Sequence, residues 1–530
     1  MLFTSYEFLL FLLIVFTLYY LIPKKWQWKF LLLASYVFYF TAGKTYLLYI
    51  GATTVTTYLA AKKIQDRKDS FKASFDAVKQ GLTREEKKQK KEAEKKHQFR
   101  LMLVCLLFNL GILAVIKYTN FTISNINGIL HAFGSEKTLS FVNLVIPMGI
   151  SFYTFQSMGY LIDVYQGKVK AERSLGKFAL FVSFFPQLVQ GPISRYSDLA
   201  ESLYTEHKAD YRTITLGLER ILWGFFKKLV IADRMLVAVN AIIKDTETYN
   251  GAFAFAGMLF YALELYADFT GGIDITIGTA QTLGITVTEN FNRPYFSKSI
   301  KEYWKRWHIT MGTWFTDYIF YPLSICKSMQ KLSKFSRKHF GEQIGKRIPV
   351  YLASFIVWFT TGIWHGANWN FIAWGIGNFV VIMISQELEP LYYRFHSRFR
   401  VQGKTWFKIF QVVRTVLIMS CLRMFDCYRD VPLTFKMFGS MFTKFSVKSL
   451  TGTAFLGLGL TVWDYAILLV GALLLFTVSM LGRSGSVREK IAGFAFPVRF
   501  LIWYGLFLTV LVFGAYGIGY SASQFIYNQF

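Results

Sequence analysis

Two histidines stand where an imidazole could do chemistry. His365 lies in VWFTTGIWHGANWNFIAWG, an apolar and aromatic stretch with Gly362 and Gly366 beside it and Asn368 three residues on. A neutral imidazole donates from one nitrogen and accepts at the other, and its reference pKa of about 6.5 suits proton transfer. Ionisable groups at membrane depth are costly and point to function. The alternative is a helix-packing histidine satisfied by Asn368 or a carbonyl. His308 lies in SIKEYWKRWHITMGTWFTDY, where Lys301, Lys305 and Arg306 interleave with Trp304, Trp307 and Trp314. That pattern predicts an interfacial helix with a basic face and an aromatic belt. Such a helix could hold an anionic group, such as the phosphate of a thioester carrier; a membrane-surface anchor explains it equally well. Asp268 and Asp274 are six apart in YADFTGGIDITIG, around Gly271 and Gly272. The glycines predict a helix break or a close backbone approach. The acids then read either as caps of a broken helix or as the polar lining of a cavity. In VQGPISRYSDL, Pro192 and Arg195 mark a turn just off an apolar run.

Other reactive residues carry less. His97, His339 and His396 sit among basic residues and read as solvated, His131 falls in a loop, and His207 follows SLYTE in a polar stretch. Cys105, Cys326, Cys421 and Cys427 form no CxxC or CxxH spacing, so they read as reduced or structural and no metal site is expected. The chain has no GxxxxGK[ST] loop, no HExxH and no GxSxG elbow. The HxxxxD pattern of many soluble acyltransferases is also missing, because Thr313 and Asn370 stand five residues after the two histidines.

The elements that must position these residues are membrane helices. The 530 residues are 53% hydrophobic and 18% aromatic, with a formal net charge of +27. That apolar content excludes disorder, and its arrangement in long blocks argues against a soluble single core. A nucleic-acid binder would account for the charge but not the hydropathy. Clear apolar blocks are 2–22, 99–117, 140–162, 350–363 with 369–385, 464–481 and 497–520; shorter ones are 29–41, 45–61, 178–193, 214–232, 252–267, 314–325 and 406–422. They predict an all-α polytopic membrane protein with roughly ten to thirteen membrane-inserted helices, some re-entrant. The first block lacks a basic leader and a small-residue cleavage site, so it reads as a span rather than a cleaved signal. The segment 62–100 is the one hydrophilic insert, with 14 Lys/Arg against seven Asp/Glu, and it predicts a solvated helix outside the bilayer. Placing it in the cytoplasm puts Lys24, Lys25 and Lys29 inside with Lys168, Lys170, Arg173 and Lys177, leaves loop 118–139 outside with one basic residue, Lys137, and sets the N-terminus outside. From 187 to 220 and from 271 to 347 polar and apolar residues mix, which marks the functional core. The organisation expected is N-terminal transmembrane helices over 1–61, a basic cytoplasmic segment over 62–100, a catalytic core over 101–425 and C-terminal transmembrane helices over 426–530.

At these motifs the chain resembles the membrane-bound O-acyltransferases (MBOAT), and within them the bacterial alginate O-acetyltransferase type. The matching pieces are QGPISRYSDL (190–199), DFTGGIDITIG (268–278), ENFNRPYFSKSIKEYWKRWHITMGTWFTDYIFYPL (289–323), GIWHGANWNFIAWG (362–375) and the tail FIYNQF (525–530). The insert 62–100 departs from the alginate enzymes and resembles Gram-positive relatives. Some of those acetylate peptidoglycan or secondary cell-wall polymers, and another branch helps transfer D-alanine to teichoic acid. The resemblance implies a ring of helices around a thinned centre, with funnels from both faces. It maps the family's essential WHG histidine onto His365 and its RWHI histidine onto His308. It also makes Arg195, Asp268, Asp274, Asn292, Arg293, Trp304, Arg306, Trp307, Trp364 and Asn368 the candidates for lining the cavity or binding substrate.

The function this implies is transfer of an acyl group, most simply acetyl, across the bacterial cytoplasmic membrane. The donor would be a cytoplasmic thioester, either acetyl-CoA or a carrier-protein thioester, and no tightly bound cofactor is expected. His365 would act as general base or transient acyl carrier, and His308 would position or polarise the reacting group. The expected partners are membrane lipids, the donor, a glycan polymer acceptor and a separate extracytoplasmic acetyltransferase or hydrolase-like protein, with no nucleic acid. D-alanyl transfer to teichoic acid, a transporter or flippase, and a non-catalytic scaffold remain the rival readings.

Overall fold

The computed structural model describes residues 3–450 and 453–516. The tail motif FIYNQF, the last residues of the 497–520 block and Leu2 of the first block lie outside the described residues. Among the described residues the secondary structure is helical, without strands. The chain divides into two units, residues 1–214 with 280–288 and residues 215–279 with 289–530.

The first unit begins with α1 (Tyr6–Leu21), whose amino end is capped by the Ser5 hydroxyl accepting from the Phe8 amide. Then come α2 (Gln27–Ala42), α3 (Tyr46–Val78), α4 (Arg84–Ala132), α5 (Ile150–Gln166), α6 (Leu175–Ser183) and α7 (Tyr196–Tyr204). Phenylalanine rings bind the amino-terminal part: Phe8, Phe11 and Phe38 lie within 6.5 Å of one another, and Phe185 sits 5.3 Å from Phe11. The hydrophilic insert is not a separate element. Its two halves are the polar ends of α3 and α4, so both helices run from apolar into charged sequence without interruption. A second difference concerns residues 118–132, expected as loop and found as the continuation of α4. Thr119, Thr122 and Asn125, types that favour turns when they bond locally, instead bond back onto the helix, while Asn120 and Asn127 bond across to Val142 and Leu139. The Thr119 and Thr122 hydroxyls donate to the Val115 and Tyr118 carbonyls at 2.6 and 3.0 Å, and the Asn125 amide to that of Phe121 at 2.7 Å.

The second unit holds most of α8 (Tyr211–Phe225), which runs through a π-helical stretch, Phe226–Ala232, into α9 (Asp233–Lys244), and then the long α10 (Ala252–Thr282). The short helices α11 (Ile300–Trp304) and α12 (Ile309–Phe315) follow. Then come α13 (Arg347–His365), α14 (Trp369–Glu387), α15 (Thr405–Tyr428), α16 (Val431–Thr443), α17 (Val462–Leu481) and α18 (Phe496–Phe513). Among the described residues, seven helices are long and apolar enough to span a membrane: α4, α10, α13, α14, α15, α17 and α18. Helix α1 is apolar but shorter.

Glycines set two of the tightest crossings in this unit. α10 passes unbroken through Gly271, so the glycine serves close approach rather than a break. A Cβ there would meet the Gly224 carbonyl oxygen at 3.0 Å, and one on Gly278 would meet that of Gly217 at 2.8 Å. α13 and α14 approach in the same way: a Cβ on Gly375 would lie 2.4 Å from the Trp358 carbonyl oxygen, and one on Gly362 would lie 2.6 Å from that of Phe371. This brings the carboxyl end of α13, where His365 sits, against the first turns of α14. Small residues that let backbones touch are a common solution where lipid supplies no hydrophobic drive for helix association.

Candidate active site

His365 is the last residue of α13. The helix stops there because Gly366 is fully extended, and a side chain at that position would run into the Phe371 ring 2.2 Å away. The imidazole is buried between two indoles, its ring centre 4.7 Å from Trp374 and 5.1 Å from Trp364, both nearly perpendicular. Trp364 also lies 6.2 Å from His308, so one indole flanks both histidines.

His308 is not on an interfacial surface. It is 0% exposed and takes a left-handed backbone conformation, φ 47°, at the start of α12. Left-handed backbone is uncommon for a residue with a side chain and is enriched at functional sites. Asn290 holds the ring. Its carboxamide oxygen accepts from the Thr310 amide at 3.1 Å and the Thr310 hydroxyl at 2.9 Å, and it lies 3.2 Å from His308 Nδ1. An oxygen already accepting a backbone N–H is an acceptor for the ring as well, so Nδ1 carries the hydrogen and Nε2 the lone pair. Phe269 of α10 closes the other side, 5.0 Å from the imidazole. The basic and aromatic alternation resolves into two faces: Lys301 and Lys305 are exposed, while Tyr303 and Trp307 are buried and stack at 5.6 Å and 12°.

A third group joins the histidines. The Arg423 guanidinium of α15 sits 4.8 Å from the Trp374 ring centre, 5.1 Å from Trp307 and 5.8 Å from Trp304, and pairs with Asp426 at 2.7 Å. Arginine favours such planar aromatic surroundings. Arg423 therefore packs against the indole beside His365 and against the residue preceding His308. Neither Arg423 nor Asn290 was singled out in the sequence. An arginine and an acid three apart at the end of an apolar run is a signal of buried function; Asn290 gave none.

Asp268 and Asp274 form a charged seam. Lys228 Nζ lies 2.6 Å from Asp268 and 2.8 Å from Asp233; Lys227 Nζ lies 2.5 Å from Asp274, and Arg220 bridges Asp274 at 2.8 Å and Glu289 at 2.5 Å. The helix runs unbroken through both acids, so they do not cap a broken helix, and each is ion-paired. The two lysines come from the π-helical stretch, and their presence in the apolar run 214–232 was the overlooked sequence signal.

The remaining candidates separate. Asn292 is exposed and its amide donates to the Arg306 carbonyl at 2.9 Å; Arg306 pairs with Glu302 at 2.6 Å. Arg293, also left-handed at φ 51°, stacks over Phe296 at 4.9 Å. Asn368 is exposed at the start of α14 and, with Trp369, Asn370, Arg429 and Asp430, lines a cleft of about 500 Å³ beside the loop that follows His365. Arg195, in the first unit, is half-buried and precedes α7. His97, His131 and His339 are exposed, and all four cysteines are free. Among the described residues no three His, Cys, Asp or Glu side chains are grouped to hold a metal ion.

The chain thus combines helices long and apolar enough to span a membrane with two buried histidines walled by aromatic rings. The family described as MBOAT, membrane-bound O-acyltransferase family, matches residues 170–428. The chain is 33% identical over 395 residues to the probable alginate O-acetylase AlgI of Azotobacter vinelandii, covering 73% of this chain and 69% of that one. It is 30% identical over 405 residues to the peptidoglycan O-acetyltransferase of Helicobacter pylori, covering 71% and 67%. It is 27% identical over 283 residues to the teichoic acid D-alanyltransferase of Bacillus subtilis, covering 52% and 66%. The chain thus spans about two thirds of the length of these relatives. It belongs to the membrane-bound O-acyltransferase family and is a multi-pass membrane O-acyltransferase.

Proposed function

We propose that the protein transfers an acyl group, acetyl in the simplest case, from a cytoplasmic thioester to a hydroxyl destined for an extracytoplasmic envelope polysaccharide of a bacterial cell. The observation that carries this reading is the pair of buried histidines flanked by one indole, Trp364, with His308 held as the Nδ1–H tautomer by Asn290. The acceptor oxygen attacks the thioester carbonyl carbon. A C–O bond forms, the C–S bond breaks, and the hydroxyl proton passes to His365 and on to the departing thiolate. His308 polarises or orients the reacting group, and the cleft lined by Asn368, Asn370 and Asp430 offers polar side chains next to the His365 loop. The names of the relatives, acting on alginate, peptidoglycan and teichoic acid, support an envelope polymer as the final acceptor. A separate extracytoplasmic protein completes delivery to that polymer.

The test is mass spectrometry of envelope glycans from cells with the wild-type gene, without it, and with His365→Ala at matched membrane levels. Ester-linked acyl groups should disappear in the last two. Wild-type acylation with His365→Ala removes the catalytic assignment.

A further inference from the structure

The polar ends of α3 and α4 form a helical hairpin that is built, not merely solvated. Arg67 holds Glu94 through two hydrogen bonds of 2.7 and 3.0 Å, and Lys91 lies 5.2 Å over the Phe75 ring, which stacks on Phe71 at 5.2 Å. At its base Arg173 pairs with Asp66 and Asp69, and Lys68 donates to the Val164 and Tyr165 carbonyls at 2.6 and 2.9 Å. At its tip Thr83 and Glu86 form a reciprocal capping box that starts α4.

These contacts sort the charges. The acids Asp66, Asp69, Glu86 and Glu94 are engaged within the hairpin or at its base. The stretch 84–97 carries seven basic residues, Arg84, Lys87, Lys88, Lys90, Lys91, Lys95 and Lys96, against four acids, of which Glu86 and Glu94 are two of those engaged. Apart from Lys87, these basic residues are exposed. The result is a stiff, cationic prong.

Its reach selects what can cover it. The apolar run of α4 begins at Leu101. At about 1.5 Å per residue, Lys87–Lys91 stand roughly 15–20 Å beyond that point along the helix axis. The headgroup layer adds only about 5–8 Å to the hydrocarbon edge, and charge is screened within about 8 Å at physiological salt. The tip therefore stands clear of lipid and faces soluble material. We propose that this prong docks an acidic soluble protein that carries the acyl thioester, an inference that rests on the thioester-donor reading above. Complementary charge speeds such an encounter and makes it salt-dependent.

The test uses the full chain in nanodiscs of neutral lipid, with acetyl-loaded acyl carrier protein as the probe, and reads equilibrium binding across a salt series. Lys88, Lys90, Lys95 and Lys96 are replaced together by Ala, and in a companion variant by Arg. The Ala variant should bind at least tenfold more weakly with a shallower salt slope, and the Arg variant should bind as wild type does. Three results overturn the proposal: no measurable binding by wild type, equal binding by the Ala variant, or a defect of the Ala variant confined to association with anionic phosphatidylglycerol vesicles. Because binding needs no turnover, failure of the donor-docking idea stays distinguishable from failure of the His365 assignment.

Discussion

Consecutive residues of α10 serve two different regions. Asp268 pairs with Lys228 in the charged seam, and Phe269 packs on His308 in the histidine pocket. Both regions are buried, yet they treat ionisable groups differently. In the seam, cations and acids neutralise one another at 2.5–2.8 Å. In the pocket, the histidines meet indoles, a phenyl ring and one carboxamide, with the Arg423–Asp426 ion pair packed on the indoles. A buried charge is tolerated when its partner is in place and is strongly destabilising when the partner is lost. Burial among rings favours the neutral imidazole, and at His308 it pushes the ring's pKa well below its ordinary value. The seam is therefore architecture, and the pocket is where we propose the chemistry.

Breaking the seam should give the largest effect. Lys228→Met leaves Asp268 and Asp233 without their shared cation and should lower stability by about 3–5 kcal/mol, seen as lost membrane yield and an early thermal midpoint in detergent. A wild-type midpoint would erase the contrast between the two regions. His365→Ala should do the reverse, reducing acyl transfer by about a hundredfold or more while the midpoint moves by no more than a few degrees. A subtler cut is Asn290→Leu, which frees the His308 tautomer. Turnover should fall by about tenfold to a hundredfold, with the donor KM little changed. Gly271→Ala pushes a methyl toward the Gly224 carbonyl; about 1–3 kcal/mol of stability should go, with activity per folded molecule retained. The smallest effect belongs to Arg67→Ala on the exposed hairpin, under about 1 kcal/mol.

Much of the fold and the histidines of the candidate site were legible in the chain. His365 stood out because a titratable ring in an apolar helix has few structural excuses. The acids at 268 and 274 were visible for the same reason. Their partners were harder, because Lys227 and Lys228 are adjacent and an ordinary helix would turn successive side chains about 100° apart. His308 was misplaced because basic and aromatic residues within one turn look interfacial when read as a single face. The i, i+4 pair Tyr303 and Trp307 already held the buried face, with Lys301 and Lys305 opposite. Asn290 was invisible, since a loop carboxamide acquires its role only when Thr310 and His308 fold onto it.

The π-helical stretch Phe226–Ala232 has a consequence for how this chain can change length. A π turn accommodates one residue more than an α turn. Removing a single residue there would restore a regular helix and rotate everything after it, swinging Asp233 and Arg234 away from Lys228 and Asp464. A deletion of one amino acid at this place should thus be worse than many substitutions, and the spacing between the FFKK and ADR segments becomes a register that the two ends of the helix hold in common.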